Sequence, residues 1–171
     1  MVSELKTLVT FFGATGDLAK RKLYPSVFNL FKKGYLQEHF AIVGTARQDL
    51  TEDEFKQLVR DSIAGAAEDK AQAEAFIEHF SYRAHDVTDA ASYDVLKSAI
   101  EEASDKFGIE GNRIFYMSVA PRFFGTIAKY LKSEGLLATT GYNRLMIEKP
   151  FGTSYETAEK LQSELENAFD D

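Results

Sequence analysis

The chain has 171 residues, of which 44% are hydrophobic and 27% charged, a globular composition with enough residues for one domain and its core. Its 20 Lys and Arg residues are outnumbered by 27 Asp and Glu residues, and the net charge of −7 excludes a generally basic surface for nucleic acid or anionic lipid. Cysteine is absent, which excludes disulfides and thiol chemistry, and no apolar run approaches the roughly 20 residues of a membrane span, so we expect a soluble, cytoplasmic protein.

Short apolar segments alternate with longer segments of helical period, and this alternation predicts an α/β protein with a parallel sheet. The predicted strands cover residues 7–12, 40–45, 80–85, 113–119 and 144–148. Near-continuous apolarity in the first, fourth and fifth predicts strands covered on both faces. Right-handed crossovers then predict a Rossmann-type, doubly wound sheet in three layers, with strand order 3-2-1-4-5 and helices on both faces.

Apolar residues at helical spacing lie between these strands and predict helices with buried apolar faces. The stripes fall within residues 23–31 (Leu23, Val27, Leu30, Phe31), 55–63, 93–107, 123–131 and 155–169. Thr51 with Glu54, and Thr153 with Glu156, have capping-box spacing, and Asp89 is a predicted N-cap. The alanine-rich segment 64–75 predicts a further short helix, and no repeat or linker divides the predicted single domain over residues 1–171.

The first predicted strand leads directly into a turn that contains two glycines and opens the first helix. The turn reads Gly13-Ala14-Thr15-Gly16-Asp17-Leu18-Ala19-Lys20-Arg21. A phosphate-binding turn needs small residues where the backbone bends, where it approaches a pyrophosphate and where helix packs on strand, and Gly13, Gly16 and Ala19 have suitable spacing. The helix N-terminus would offer N–H groups to the phosphates, and Thr15 a hydroxyl. A tight turn that only starts a helix would look similar, but the strand and helix on either side favour a dinucleotide site.

The choice of dinucleotide is usually determined at the end of the second strand, where an acid would bind the adenosine ribose and an arginine a 2′-phosphate. Here Arg47 and Gln48 follow the strand, which favours NADP because a guanidinium can pair bidentately with phosphate. NAD stays open as the alternative, since Arg47 could instead stack on adenine. Asp86 and Val87 follow the third strand, where the adenine edge would rest, although Asp86 could also be only a turn residue.

Two further patterns indicate no chemistry. Tyr93 and Lys97 have the Tyr-x-x-x-Lys spacing of short-chain dehydrogenases, but they fall on the helix after the third strand, at the predicted adenine side, and are interpreted as structural. His39, His79 and His85 lack metal-ligand spacing, so no metal site is predicted.

Four sequence motifs are similar to those of one known family, the coenzyme domain of bacterial glucose-6-phosphate dehydrogenases. The motifs are the extended glycine turn 13–23, the strand end Gly44-Thr45-Ala46-Arg47, the segment Tyr116-Met117-Ser118-Val119-Ala120-Pro121, and Ile147-Glu148-Lys149-Pro150-Phe151-Gly152. The resemblance covers the whole chain. It implies oxidation of glucose 6-phosphate at C1 to the lactone, the first step of the pentose phosphate pathway, with hydride passing to C4 of NADP, or of NAD in some members.

The resemblance also implies roles for individual residues. The turn 13–21 would hold the pyrophosphate, Arg47 the adenosine end, and Lys149 both the substrate and the nicotinamide side. Lys22 resembles a lysine that faces the substrate phosphate, and Pro150 one that positions Lys149. From its place after the fourth strand, the pair Ala120 and Pro121 can lie against the nicotinamide ribose, although Pro121 would equally suit a helix start.

The family pattern continues beyond the point at which this chain ends. Members carry on into a segment reading Arg-Ile-Asp-His-Tyr and a β-rich substrate domain with the catalytic histidine base, whereas this chain ends at Asp171. Because a carbinol needs a base to release its hydride, we expect an isolated coenzyme domain, monomeric, that binds dinucleotide without turnover and contains no catalytic residue. The alternatives are a stand-alone dinucleotide sensor that acts through a protein partner, or a scaffold too loose to bind.

Overall fold

The computed structural model describes residues 6–17, 19–109, 111–137 and 143–147. The described strands are β1 (Thr7–Phe12), β2 (Phe40–Ala46), β3 (Phe80–Ala84), β4 (Arg113–Met117) and β5 (Asn143–Ile147). The described α-helices are α1 (Tyr24–Lys32), α2 (Glu52–Ile63), α3 (Lys70–Ile77), α4 (Tyr93–Phe107) and α5 (Phe124–Ser133). The predicted helix over 155–169 and the Thr153 capping box lie outside these residues.

All described strand pairs are parallel, and the strand order is β3-β2-β1-β4-β5. β1 is the central strand, with Val9 opposite Ile42 of β2 on one side and Ile114 of β4 on the other. The predicted doubly wound sheet is therefore confirmed. Consecutive strands β1, β2 and β3 build the sheet in one direction and β4 and β5 in the other, so the order reverses at β1.

Two hydrophobic cores lie on opposite faces of the sheet, because alternate residues of a strand point to opposite sides. On one face, Leu8 and Phe12 of β1 belong to a core with α4 and α5 residues such as Leu96 and Ile127. On the other face, Phe11 belongs to a core whose fully buried helical side chains include those of Tyr24, Phe28, Phe55, Val59 and Phe76. This arrangement gives the three predicted layers.

The edge strand β5 departs from the expectation of two covered faces. Leu145 packs against the core that contains α4 and α5, but Met146 is 47% exposed and Arg144 is exposed as well. Within the described part of the chain, β5 therefore has one covered face, as an outermost strand can. The central strand β1 is covered on both faces as predicted.

Most of the predicted apolar face of the first helix packs on the core, since Leu23, Val27 and Phe31 are partly buried against it. A π-helix over Ala19–Leu23 precedes α1, which has Pro25 in its first turn. Tyr24 and Phe28 are fully buried, whereas the predicted core residue Leu30 is 37% exposed.

Local capping signals were predicted more accurately. The capping box of α2 is present: the Glu54 N–H donates to the Thr51 hydroxyl at 3.1 Å and the Thr51 N–H to the Glu54 carboxylate at 2.9 Å. Asp89 caps the short 3₁₀ turn Ala90–Ser92 in front of α4 rather than α4 itself. The segment 64–75 contains a 3₁₀ turn over Ala64–Ala66 and the start of α3. No helix in the described ranges is both long and apolar enough to cross a bilayer.

Candidate functional site

A cavity of about 380 Å³ lies at the carboxyl ends of β1 to β4, beside the point where the strand order reverses. This is the position at which open α/β sheets bind ligands. Its lining residues come from the last residues of β2 and from the segments after these four strands, and they are Gly13, Thr15, Thr45, Ala46, Arg47, Gln48, His85, Asp86, Val87, Thr88, Val119, Ala120 and Phe123. The volume is within the range of small-molecule sites, about 300 to 1,000 Å³.

Gly13 allows β1 and β4 to meet at the floor of this cavity. Its φ is +85°, and a Cβ on it would lie 2.0 Å from the carbonyl oxygen of Ser118. The Ser118 N–H in turn donates to the Phe12 carbonyl at 2.9 Å. Only glycine fits here, because the contact is with backbone that cannot rotate away.

The backbone of the glycine turn is fastened to the end of β2. The Thr45 carbonyl accepts the N–H groups of both Gly13 and Ala14, at 3.0 and 3.1 Å. The Ala14 carbonyl accepts the buried hydroxyl of Tyr24, and the Ala14 side chain is fully buried. Ala14, a predicted cofactor residue, therefore belongs to the framework beneath the turn, since its N–H and its side chain are both engaged within the protein.

Gly44 of β2 makes this framework possible. A Cβ on Gly44 would lie 2.5 Å from the Phe55 ring and 2.9 Å from the Ala14 Cβ. The missing side chain lets α2 and the glycine turn pack on β2 at the same place. Ala19 is fully buried in the same core as Phe55, as expected of the small residue at which helix packs on strand.

After Ala14 the turn reaches the surface, with Thr15 partly buried and Gly16 and Asp17 exposed. The Gly16 N–H donates to the Gly13 carbonyl at 3.1 Å, and a Cβ on Gly16 would only touch that same oxygen, at 3.4 Å. Among the described residues, no close contact therefore requires glycine at position 16. The Thr15 hydroxyl, at the wall of the cavity, has no hydrogen-bond partner among the described residues.

Lys20 and Arg21, which were predicted to belong to the phosphate site, do not line the cavity. They line a separate surface groove against α2, together with Glu54, Gln57, Leu58, Asp61 and Ser62. Burial of Ala19 against the core directs the following residues toward α2, where carboxylates offer counter-charges. Lys22 is exposed and does not line the cavity at the carboxyl ends of β1 to β4.

Arg47 is exposed at the rim of the cavity and has no ion pair with any described carboxylate. On the neighbouring loop, Asp86 accepts the hydroxyl and the N–H of Thr88, at 2.7 and 2.9 Å. These two hydrogen bonds are the main cause that lowers the pKa of Asp86, with a smaller contribution from Arg47. Asp86 is thus both a turn residue and part of the cavity wall.

His85 lies in the cavity wall at 4% exposure. Its Nδ1 is 3.2 Å from the Thr45 hydroxyl, which itself donates to the Arg83 carbonyl at 2.8 Å, so Nδ1 carries the proton. Burial lowers the pKa of His85 to about 4, and the ring is therefore neutral near pH 7. Its Nε2 is buried without a partner among the described residues.

Tyr93 and Lys97 do not form a catalytic pair. Tyr93 is fully buried and donates its hydroxyl to the Val87 carbonyl at 2.9 Å, which fixes the loop beside the cavity. The Lys97 amine lies instead beside Gly135. The structural interpretation of Tyr93 and Lys97 is confirmed in this geometry. No three His, Asp or Glu side chains in the described ranges are arranged to hold a metal ion.

The family of the chain follows from comparison with known proteins. A family model described as glucose-6-phosphate dehydrogenase, NAD binding domain, matches residues 10–171. The chain belongs to this family. The glucose-6-phosphate 1-dehydrogenase of Leuconostoc mesenteroides is 86% identical over 171 residues, which are 100% of this chain and 35% of that protein. The protein of the same name from Streptococcus pneumoniae serotype 4 is 49% identical over 97% of this chain and 34% of its own length.

A solved structure gives the same result for this glucose-6-phosphate dehydrogenase domain. A glucose-6-phosphate dehydrogenase in complex with its substrate glucose-6-phosphate superposes with a TM-score of 0.86 at 32% identity, over 99% of this chain and 36% of the other. The fold is therefore that of the family. The chain spans about a third of the length of the curated relatives it matches.

The cavity of this glucose-6-phosphate dehydrogenase domain brings together a subset of the predicted cofactor residues, namely Gly13, Thr15, Arg47, Gln48, Asp86, Val87 and Ala120. Sequence reasoning missed Thr45, Ala46, His85, Thr88, Val119 and Phe123. Their position in the sequence could have indicated them, because each lies at the carboxyl end of a strand or within a few residues after it. Leu18, Lys149 and Pro150, and the side chain of Pro121, lie outside the described residues.

Proposed function

We propose that the cavity binds the adenosine half of NADP, with the Arg47 guanidinium on the 2′-phosphate. The observation that carries this proposal is a guanidinium at the rim of the cavity that is exposed and forms no ion pair with a described carboxylate. An arginine fork can bind phosphate through two parallel hydrogen bonds. NAD has a hydroxyl in place of this phosphate, so it gains less from Arg47.

The walls of the cavity suit the other parts of the same ligand. Val87, Val119 and Phe123 offer apolar surface to an adenine ring. Gly16 leaves open space beside the turn, and the unpartnered Thr15 hydroxyl can donate to a phosphate oxygen. The N–H groups of Gly13 and Ala14 are engaged by Thr45, so the pyrophosphate contacts come from later residues of the turn.

We further propose that this domain belongs to an enzyme that oxidises glucose 6-phosphate at C1. Bound NADP supplies the nicotinamide carbon that accepts the hydride. The resemblance assigns Lys149 and Lys22 to the substrate, and Lys149 also to the nicotinamide side. Neutral His85 cannot act as the base for the C1 hydroxyl, because its Nδ1–H is held by Thr45 and its Nε2 is closed off from solvent. We infer that the base lies in the part of such an enzyme that this chain does not include.

Calorimetric titration of the 171-residue chain with NADP and NAD tests the binding proposal. We expect saturable binding of both, tighter for NADP, and competition by adenosine 2′,5′-bisphosphate more than by AMP. The absence of saturable binding by either dinucleotide would overturn the assignment of the cavity. Equal affinities for NADP and NAD would remove the proposed contact between Arg47 and the 2′-phosphate while leaving the dinucleotide site in place.

A further inference from the structure

The Tyr82 hydroxyl lies directly beneath the turn that carries Arg47. Tyr82 is on β3, is 2% exposed, and stacks on the Phe55 ring with centroids 5.0 Å apart. Its hydroxyl donates to the Gln48 carbonyl at 2.6 Å and lies 3.3 Å from the Ala46 carbonyl. These two carbonyls belong to the residues on either side of Arg47, so one side chain reaches both ends of the turn.

The turn has few other attachments. The Ala46 carbonyl accepts the His85 N–H at 2.9 Å, which is the last contact between the two strand ends. The Gln48 carbonyl also accepts the Leu50 N–H, at 3.1 Å, a bond within the loop itself. Tyr82 therefore provides the only side-chain hydrogen bonds that reach the backbone of residues 46–48 from the described part of the chain.

The hydroxyl is well suited to act as a permanent donor. Burial raises the pKa of Tyr82 to about 12, with a smaller contribution from the Asp49 carboxylate, so the hydroxyl stays protonated at any physiological pH. The stacked ring on Phe55 and the wall of the core fix its position. A rigid donor under a surface turn limits the conformations of that turn and reduces the entropy lost when the turn binds a ligand.

We propose that Tyr82 is a positioning residue that sets the preference for NADP over NAD by holding the turn that presents Arg47. The proposal rests on the proposed function, in which Arg47 meets the 2′-phosphate. Tyr82 itself is buried and touches no ligand. Loss of its hydroxyl removes the side-chain hydrogen bonds to the carbonyls of Ala46 and Gln48, and the guanidinium then has to be ordered at the moment of binding. This entropic cost of ordering the guanidinium weakens the binding of NADP more than that of NAD, because only NADP has the 2′-phosphate that pairs with Arg47.

Tyr93 offers a matched control within the same chain. It is as deeply buried as Tyr82, and its hydroxyl also donates to a backbone carbonyl beside the cavity, that of Val87, at 2.9 Å. Val87 lies in the adenine wall, away from Arg47 on the loop after β2. The two Tyr→Phe changes remove equivalent hydrogen bonds, and only one of them supports the arginine turn. Any effect of Tyr93→Phe should be shared equally by NADP and NAD.

The test is a comparison of NADP and NAD dissociation constants for the full chain and for the variants Tyr82→Phe, Tyr93→Phe, Arg47→Ala and the double variant Arg47→Ala with Tyr82→Phe. For Tyr82→Phe we expect NADP to bind about five-fold more weakly, the effect of one lost neutral hydrogen bond, and NAD to change less than about two-fold. Tyr93→Phe should leave the ratio of the two constants unchanged. In the double variant, the Tyr82 change should no longer alter the ratio.

The outcomes separate this proposal from the proposed function. If Tyr82→Phe keeps the wild-type preference for NADP over NAD while Arg47→Ala reduces it, the role of Tyr82 is overturned and the proposed function stands. If Arg47→Ala keeps that preference, the phosphate contact itself is overturned. If Tyr82→Phe does not fold, 4-fluorophenylalanine at position 82 fills the space of the hydroxyl without donating a hydrogen bond. It should reduce the preference for NADP over NAD to the extent expected for Tyr82→Phe. Equal weakening of NADP and NAD in that variant would reduce Tyr82 to a packing residue.

Discussion

A Cβ on Gly13 would lie 2.0 Å from the carbonyl oxygen of Ser118, so the ends of β1 and β4 come together where no other residue fits. Gly16, three residues later in the same turn, meets no such obstacle. The two glycines of the motif therefore have different tasks. The fold requires Gly13, whereas a Cβ on Gly16 makes only an ordinary contact, with the Gly13 carbonyl oxygen.

Gly13→Ala should destabilise the fold strongly. The added methyl meets a backbone carbonyl and also has to adopt a φ of +85°, so we expect a loss of more than about 3 kcal/mol in the free energy of unfolding. Urea unfolding followed by circular dichroism measures this loss. A stability within about 0.5 kcal/mol of the wild type would contradict the close approach of β1 and β4.

Gly16→Ala should have the opposite profile. Its Cβ meets only ordinary contact inside the chain, at 3.4 Å, so the stability should change by less than about 1 kcal/mol. The methyl would occupy the space proposed for the pyrophosphate, so the binding of NADP and of NAD should weaken equally. The expected loss is about ten-fold or more, the effect of one lost phosphate contact. Unchanged affinity in a titration would place the pyrophosphate elsewhere.

Arg47→Ala should weaken NADP by about 1.5 to 3 kcal/mol, the range of a charge-assisted hydrogen bond, and NAD by less. Lys33→Ala removes the same charge from an exposed position at the end of α1, away from the cavity, and serves as the control for general electrostatics. Calorimetry at two salt concentrations measures the affinity of each variant and of the wild type for NADP and for NAD. Equal losses for NADP and NAD would show that Arg47 stacks on adenine instead.

The stability of the domain should fall in acid, partly because of His85. Burial lowers the pKa of its folded form to about 4, whereas the unfolded chain takes up the proton near pH 6.5. The unfolded state thus binds more protons between these values, and stability present above pH 6.5 is lost as the pH falls toward 4. The loss from this group amounts to about 3 kcal/mol.

His85→Gln removes the titrating ring and should flatten this part of the pH profile. Urea unfolding at pH 7 and pH 4.5 gives the comparison between the wild type and the variant. The pKa of His79 is also lowered by burial, so a residual slope from that group is expected in the variant. An unchanged slope in His85→Gln would mean that His85 is solvated in the folded state.

Much of the fold was readable from local patterns. The β1 and β2 segments are short and largely apolar, and the Thr51 and Glu54 capping box needs only a spacing of three residues, so the strands and the capping box were predicted correctly. In the first helix, Leu30 was wrongly predicted as a core residue, and the fully buried Tyr24 and Phe28 were missed, because apolar spacing does not decide which apolar side chain meets the core.

The residues of the candidate cavity were likewise predicted only in part. Gly13, Arg47 and Val87 were predicted from their positions after strands, since parallel strands bring their carboxyl ends to one edge. Lys20 and Arg21 follow the glycines in sequence as well, yet the structure places them in the groove against α2. Sequence proximity could not separate the two groups, because the direction of a side chain depends on which neighbour is buried.

The sequence by itself predicted the strand order, the edge of the sheet at which the candidate site lies, and the place of Arg47 at that edge. These predictions follow from the strand pattern, the handedness of the crossovers and the positions of the loops, all of which can be read along the chain. Tertiary structure alone decided which glycine the fold requires, where Ala14 is buried and what lies beneath Arg47. Those answers depend on contacts such as Gly13 with Ser118 and Tyr82 with Gln48, whose partners are far apart along the chain. Only packing of the finished sheet brings such partners within bonding distance.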